Sequence, residues 1–261
     1  MNNKSLLYLS EERTLFIGRL DEPIFLSQGA ATLTIALEGS CLVTVMDTGA
    51  TFESSSVLLH PGCSTHLETR NQLVANLNLD VTGRDFYILS CLMKNVAHGV
   101  HSGLSDESVF KAFFWEIFKR ALCLEKTTVL INDFFFSCKP KDFDFEVDER
   151  VLKVLQIIRA SIDKNLSIES LADSINLSVP ALTRIFKKQT GVPIRRYRQW
   201  HRLFITGVEV GRGKSLTDAA LIAGFVDLSH CTHTFNSMLG VRPSYFLSRP
   251  EAIKVLAGRS Y

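Results

Sequence analysis

The 261-residue chain carries 29 Lys+Arg against 27 Asp+Glu, and it is long enough for two domains that each bury a core. The formal net charge of +2 hides an asymmetry: residues 1–146 hold 12 Lys+Arg against 18 Asp+Glu, whereas residues 147–261 hold 17 against 9. That is the pattern of a basic half that meets a polyanion and an acidic half that does not. No uncharged apolar run approaches the ~18 residues of a membrane helix, and the apolar piece after Lys4 is too short for a secretory leader. The six cysteines show neither a C-x-x-C nor a finger-like spacing, which excludes the common zinc and redox motifs. The chain is therefore expected in the cytoplasm, with reduced thiols and no membrane partner.

From Leu15 to about Met93 the residues favour strands. ATLTIALEG and SCLVTVMD cluster β-branched residues and break at Gly39 and Gly49. SVLLHPG ends in a Pro-Gly turn, and LVANLNLDV and FYILSCLM continue the series. Many short strands at this spacing predict a sandwich or barrel. The order E-G-S-x-x-V-T-V followed by V-L-L-H-P-G-x-x-x-H resembles the cupin-like sensor domain at the front of many bacterial regulators. Cupin enzymes hold a metal on a His-x-His pair, a Glu and a later His. Here His66-Leu67-Glu68 supplies one His and one Glu, Ser64 stands where the pairing histidine belongs, and His60 lies too far back. No metal, cofactor or catalytic residue is expected from that set. His98 and His101 have a spacing that could bring them together on a helix turn, a weak ligand signal. A closed apolar barrel can instead hold a small molecule.

Residues 105–125 change period, with Val109, Phe113, Ile117, Ala121 and Leu124 near helical spacing. Phe110, Phe114, Trp115 and Phe118 widen the apolar stripe, which suits packing on the barrel, pairing of two subunits, or both. VLINDFFF adds a further apolar piece. The polar, proline-bearing run CKPKDFDFEVDE places a linker at residues 138–146 between a front domain (1–137) and a second domain (147–250), with 251–261 as a tail.

Val147 to Ile162 reads as a lid helix with Val151, Val154, Leu155, Ile158 and Ile162 on one face. Then the chain repeats itself. SIESLADSINLSVPALTRIFKKQTGVPI (167–194) and SLTDAALIAGFVDLSHCTHTFNSMLGVRP (215–243) align Ala172 with Ala220, Leu182 with Cys231, Phe186 with Phe235 and Gly191 with Gly240. Ser167 and Ser215 are N-cap candidates for a first helix, Ser178 and Asp227 for a second. Pro180 is tolerated in a first turn. Small alanines sit where two helices cross. This is the helix-turn-helix pattern, whose second helix enters the major groove with its N-terminal residues leading. Arg195 to Gly211 forms an amphipathic connector between the two units.

The tandem pattern, with F-K-K-x-x-G-x-P at Phe186–Pro193, A-x-x-A-G-F at Ala220–Phe225 and G-V-x-P at Gly240–Pro243, resembles the AraC/XylS family of bacterial regulators over about residues 147–248. The resemblance implies two units reading successive major-groove segments of promoter or operator DNA. It also implies a front domain for effector sensing or dimerisation, and contact with RNA polymerase to activate transcription. Carried over by position, the base-reading residues are Pro180, Thr183 and Arg184 in the first unit and Leu228, Ser229, Thr232 and His233 in the second. Arg184 suits a bidentate pair to guanine. Lys187, Lys188, Arg195 and Arg196 are expected on phosphates, giving affinity without sequence information. Cys231, His233 and Asn236 replace larger or more basic residues, which predicts a weaker second reader. The expected class is therefore α+β, a cupin-like barrel or sandwich followed by an all-α tandem helix-turn-helix domain. The expected function is non-enzymatic, sequence-specific regulation of transcription. The alternatives are a cupin-type metal enzyme with an appended DNA-binding domain, or a low-specificity architectural DNA binder.

Overall fold

The computed structural model describes residues 4–27, 29–162, 164, 166–240, 242–247 and 251–258. Val241 of the G-V-x-P motif and the last three residues of the tail lie outside them. The strand-rich part comprises β1 (Ser5–Leu9), β2 (Thr14–Arg19), β3 (Ile24–Leu26), β4 (Thr32–Ala36), β5 (Cys41–Val45), β6 (Thr51–Ser54), β7 (Ser56–Leu59), β8 (Thr65–Glu68) and β9 (Leu73–Asn78). After α1 (Arg84–Ser90) come β10 (Met93–Ala97) and β11 (Val100–Leu104), then α2 (Glu107–Arg120) and α3 (Leu124–Ser137). The helical part holds α4 (Glu149–Ala160), α5 (Ile168–Asp173), α6 (Val179–Thr190), α7 (Ile194–Gly211), α8 (Leu216–Ile222), α9 (Leu228–Leu239) and α10 (Pro243–Leu247), and the chain returns as β12 (Ile253–Ala257).

The strands form an eight-stranded sheet in the order β10-β11-β7-β4-β9-β2-β1-β12 and a four-stranded sheet in the order β3-β8-β5-β6. The larger sheet ends in two edges, so the architecture is a sandwich and not a closed barrel. Burial follows from the layers. β4 is buried at every residue because helices cover the sheet's outer face as well. There Phe110, Phe114 and Ile117 of α2 and Ile131 and Phe135 of α3 join Leu15, Ile17, Leu33, Ile35 and Leu77 in one core. Each such side chain contributes roughly 1.5–3 kcal/mol on full burial. β5 alternates buried and half-buried residues, since only one of its faces is covered.

Three sequence expectations need correcting. FYILSCLM, expected as a strand, is mostly α1. The Asp80 carboxylate accepts from the backbone N–H of Asp85 at 2.8 Å, and Asp85 is gripped by Arg13, the residue just before β2, at 2.8 Å. This tertiary clamp fixes the first helical turn against the local strand preference. His98 and His101 do not share a helix turn. His98 (φ 51) and Gly99 (φ 75) make the tight turn of the β10–β11 hairpin, a conformation that needs positive φ at both positions. The segment expected as a tail forms β12, paired in parallel with β1 from Ser5↔Ile253 to Leu9↔Ala257. It covers backbone groups that β1 would otherwise leave open at a sheet edge.

Candidate nucleic-acid interface and interdomain cavity

In the first helix-turn-helix, α5 and α6 start where the sequence places caps: Ser167 Oγ accepts from Ser170 N at 3.1 Å and Ser178 Oγ from Ala181 N at 3.4 Å. The turn between them uses Asn176 at φ 54, a left-handed position that asparagine tolerates. α6 ends on Gly191 at φ 77. Leu171, Ala172, Leu182 and Phe186 are buried with Val151, Val154, Leu155 and Ile158 of the lid helix α4. That one-sided burial turns Pro180, Thr183, Arg184, Lys187 and Lys188 outward, and all five are exposed.

The second unit repeats the construction. Ser215 caps α8 through Asp218 N at 3.1 Å, Asp227 caps α9 through His230 N at 2.7 Å, Gly224 (φ 82) makes the turn, and Gly240 (φ 70) ends α9. Ala220, Cys231, Phe235 and Met238 are buried. Ser229 and His233 are exposed on α9, whereas Leu228 and Thr232 are half-buried, and Leu228 packs against the core beneath. Between the units, the 18 residues of α7 rise about 27 Å.

Not every expected phosphate ligand faces outward. Arg195 is exposed. Arg196 is instead turned to the front domain, where its Nη2 donates to the Ser27 carbonyl and to Ser27 Oγ. Burial lowers its pKa, as it does for Arg198 and Arg202 one turn apart on the same helix, with Arg202 also depressing Arg198. A guanidinium stays charged regardless, so the correction concerns geometry: Arg196 ties two domains together.

Further contacts join the halves. Pro61 packs on Gly191, Gln189 donates to the Thr82 carbonyl at 2.9 Å, and the Ser27 N–H donates to the Met238 carbonyl at 3.0 Å. A cavity of about 90 Å³ lies between the inner face of the large sheet and helices α7, α9 and α10. Its walls include Leu7, Phe16, Trp200, Phe204, Phe235 and Phe246, and its polar floor is Thr14, Asn76 and Asn78. Sequence reasoning placed a ligand inside the strands. The space opens instead where strands meet the second helix-turn-helix. Trp200 and the asparagines were missed, although two asparagines inside the apolar run LVANLNLDV are a readable anomaly for a buried strand.

His66 and Glu68 are half-buried on β8, and among the described residues no group of three or more His, Cys, Asp or Glu is placed to hold a metal. His60 packs on Phe86 and His101, with ring centroids 4.1 and 5.5 Å away. Burial lowers the pKa of both histidines, and His101 lowers that of His60 further. No described helix is long and apolar enough to cross a membrane.

Residues 171–249 match the family model described as a helix-turn-helix domain. Over the whole chain the fold is similar to that of ToxT from Vibrio cholerae, with 15% identity, a TM-score of 0.61, and coverage of 91% of this chain and 98% of that one. ToxT with unsaturated fatty acid bound, from strain SCE256, matches at 13% identity and a TM-score of 0.60 over 95% of this chain and 96% of its own. A probable AraC family transcriptional regulator from Rhodopseudomonas palustris CGA009 matches 39% of this chain and 97% of its own, at 26% identity and a TM-score of 0.35.

Proposed function

We propose that the chain is a DNA-binding transcriptional regulator of the AraC/XylS family, in which α6 and α9 read two successive major-groove segments of one operator, under control of a small molecule held between the domains. The observation that carries the reading is the pair of reader helices, each capped at its N-terminus, buried on one side and exposed on the other. An exposed N-terminal half is what a recognition helix presents to base edges.

Within this reading Arg184 makes a bidentate pair to guanine, and Thr183, Ser229 and Thr232 meet base edges or a thymine methyl. Pro180 and Leu228 supply apolar contact, and His233 bonds a base edge. Lys187, Lys188 and Arg195 neutralise phosphates. Arg196 joins them only when its contact with Ser27 opens, which couples domain attachment to DNA affinity. The proposal extends to activation through RNA polymerase, and to a homodimer formed through the outer helices of the front domain, where Val129 and Phe136 are exposed. The fatty acid bound by the similar protein ToxT supports a small-molecule effector here, and the cavity between the domains is the place proposed for it.

Footprinting on the chain's own upstream region, with excess competitor DNA, tests the reading. A discrete protected stretch spanning two adjacent major-groove segments is expected, and it should disappear with Arg184→Ala. Uniform protection without a preferred site would instead indicate a low-specificity architectural binder.

A further inference from the structure

We propose that the interdomain cavity takes a small uncharged amphiphile, a single ring or short chain bearing one hydroxyl, carbonyl or amide, and rejects a fatty-acid anion. The inference rests on the effector reading above and names the chemistry of that site.

Three observations converge. The first is charge. Among the described residues lining the cavity there is no Lys, Arg, His, Asp or Glu. A carboxylate brought there would lose its hydration with no counter-ion, which makes it a poor ligand. The adjoining pocket shares Thr14, Asn78, Trp200 and Phe204 with this cavity and does hold two arginines. Both are already engaged, Arg13 by Asp85 and Arg159 by the Tyr197 hydroxyl at 3.1 Å.

The second is size. At about 90 Å³ the space is smaller than the ~150 Å³ cavity that holds benzene in an engineered protein core. A single ring or short chain is therefore the upper limit of what the space can take, and a long acyl chain exceeds it.

The third is the floor. The inner face of a sandwich should be apolar, yet β2, β9 and β4 place two cross-strand rows there, Phe16–Asn76–Thr34 and Thr14–Asn78–Thr32. Thr32 and Thr34 are 2% exposed and Asn76 is 8% exposed. The lower row is closed on itself: Asn78 Nδ2 donates to Thr14 Oγ1 at 2.6 Å, and Thr32 Oγ1 donates to Asn78 Oδ1 at 3.0 Å. The upper row is not. Asn76 Nδ2 donates to Thr34 Oγ1 at 2.8 Å, and its Oδ1 has no hydrogen bond among the described residues. That oxygen is an open acceptor on the cavity floor, where Asn76 is part of the lining. One neutral donor group on a ligand satisfies it, while the aromatic walls take the apolar remainder.

Trp200 lies in the cavity wall and Trp115 on α2, so a Trp115→Phe chain reports on the site through a single indole. Full-length protein titrated with benzyl alcohol should show a saturable change in Trp200 fluorescence, and palmitoleate and benzoate should show none. Asn76→Leu should weaken benzyl alcohol about tenfold, the scale of one buried hydrogen bond, and leave toluene unchanged. Leu239→Phe, which fills the space from α9, should abolish both and keeps the test decisive where the Asn76 variant fails to fold. Palmitoleate or benzoate binding as tightly as benzyl alcohol would overturn the uncharged-ligand proposal and leave the effector reading standing. Unaltered benzyl alcohol binding by a folded Asn76→Leu would overturn the polar anchor. If no probe perturbs Trp200, the effector reading falls as well.

Discussion

The two helix-turn-helix units share a pattern of caps, turns and crossings but differ in what holds them. The first owns its core: α5 and α6 pack with α4 and Tyr197 in a cluster that includes only Val81 from the front domain. The second has no core of its own. Ala220, Cys231, Phe235 and Met238 belong to the same cluster as Leu7, Phe16 and Val74 of the sandwich. Gly240 presses against the backbone of Phe25, and β12 carries the chain onward into the large sheet. The lesson is that one reader is a self-standing module, tied to the front domain by a few polar and ring contacts, while the other is part of the front domain's interior. The cavity borders α7, α9 and α10 and no residue of α4, α5 or α6. A ligand there would touch the second unit and not the first.

The sharpest way to break this comparison is to disable each reader in turn. Arg184→Ala should cost about 1–3 kcal/mol of base discrimination, equivalent to loss of the footprint at working concentrations. His233→Ala should weaken binding less, by a factor of a few in a gel-shift titration. The reverse ranking would make the second reader the main anchor.

Next come the glycines at the two reader ends. A Cβ built on Gly240 would lie 2.5 Å from the Phe25 backbone nitrogen, whereas one on Gly191 would lie 3.0 Å from the Pro61 ring. Both positions have positive φ, which alone costs an alanine about 1–2 kcal/mol. Backbone cannot yield as a ring edge can, so Gly240→Ala should lose about 2–4 kcal/mol in urea unfolding and Gly191→Ala about half of that. Equal losses would show that the second unit is no more tightly fused than the first.

Asp80 sharpens the picture at the first unit's attachment, because the loop it organises carries the Thr82 carbonyl that receives Gln189. Burial, then repulsion from Asp85, raises its pKa from 3.8 to about 6. A raised carboxyl pKa favours the protonated form in the fold. Its stabilisation is complete below pH 3.8 and is lost as pH rises through about 6. Asp80→Asn should therefore gain about 1–2 kcal/mol over wild type at pH 8, with the gain vanishing near pH 4. Urea unfolding at the two pH values checks it, and a gain independent of pH would contradict the assignment.

The smallest effect belongs to His60, beside the Pro61 contact with Gly191. Its pKa is depressed below 6.5 by burial and by His101. Stability from the neutral ring is present above pH 6.5 and lost as pH falls below it. His60→Phe should remove part of the wild-type loss in thermal midpoint between pH 7 and 5.5, leaving the Asp80 response in place.

Legibility in the sequence followed the range of the interactions involved. Ser167, Ser178, Ser215 and Asp227 were readable as caps because each bonds a backbone N–H three residues ahead. The glycines that the repeat aligns, Gly191 and Gly240, both prove to be left-handed helix ends. α1 was not readable, since its first turn depends on Arg13, some 70 residues earlier in the chain. Arg196 read as one of four similar basic residues, and only the position of Ser27 separates it from Arg195.

The sequence by itself determined the capped helices of the two helix-turn-helix units and the basic character of the second half, because caps, turns and 3.6-residue periodicity are local. Tertiary structure alone decided that the sandwich stays open, that β12 closes its β1 edge, and that one reader is built into the sandwich core. It also decided where the cavity lies. Each of these depends on which apolar faces meet and which backbone edges find partners, and residues far apart in the chain settle both.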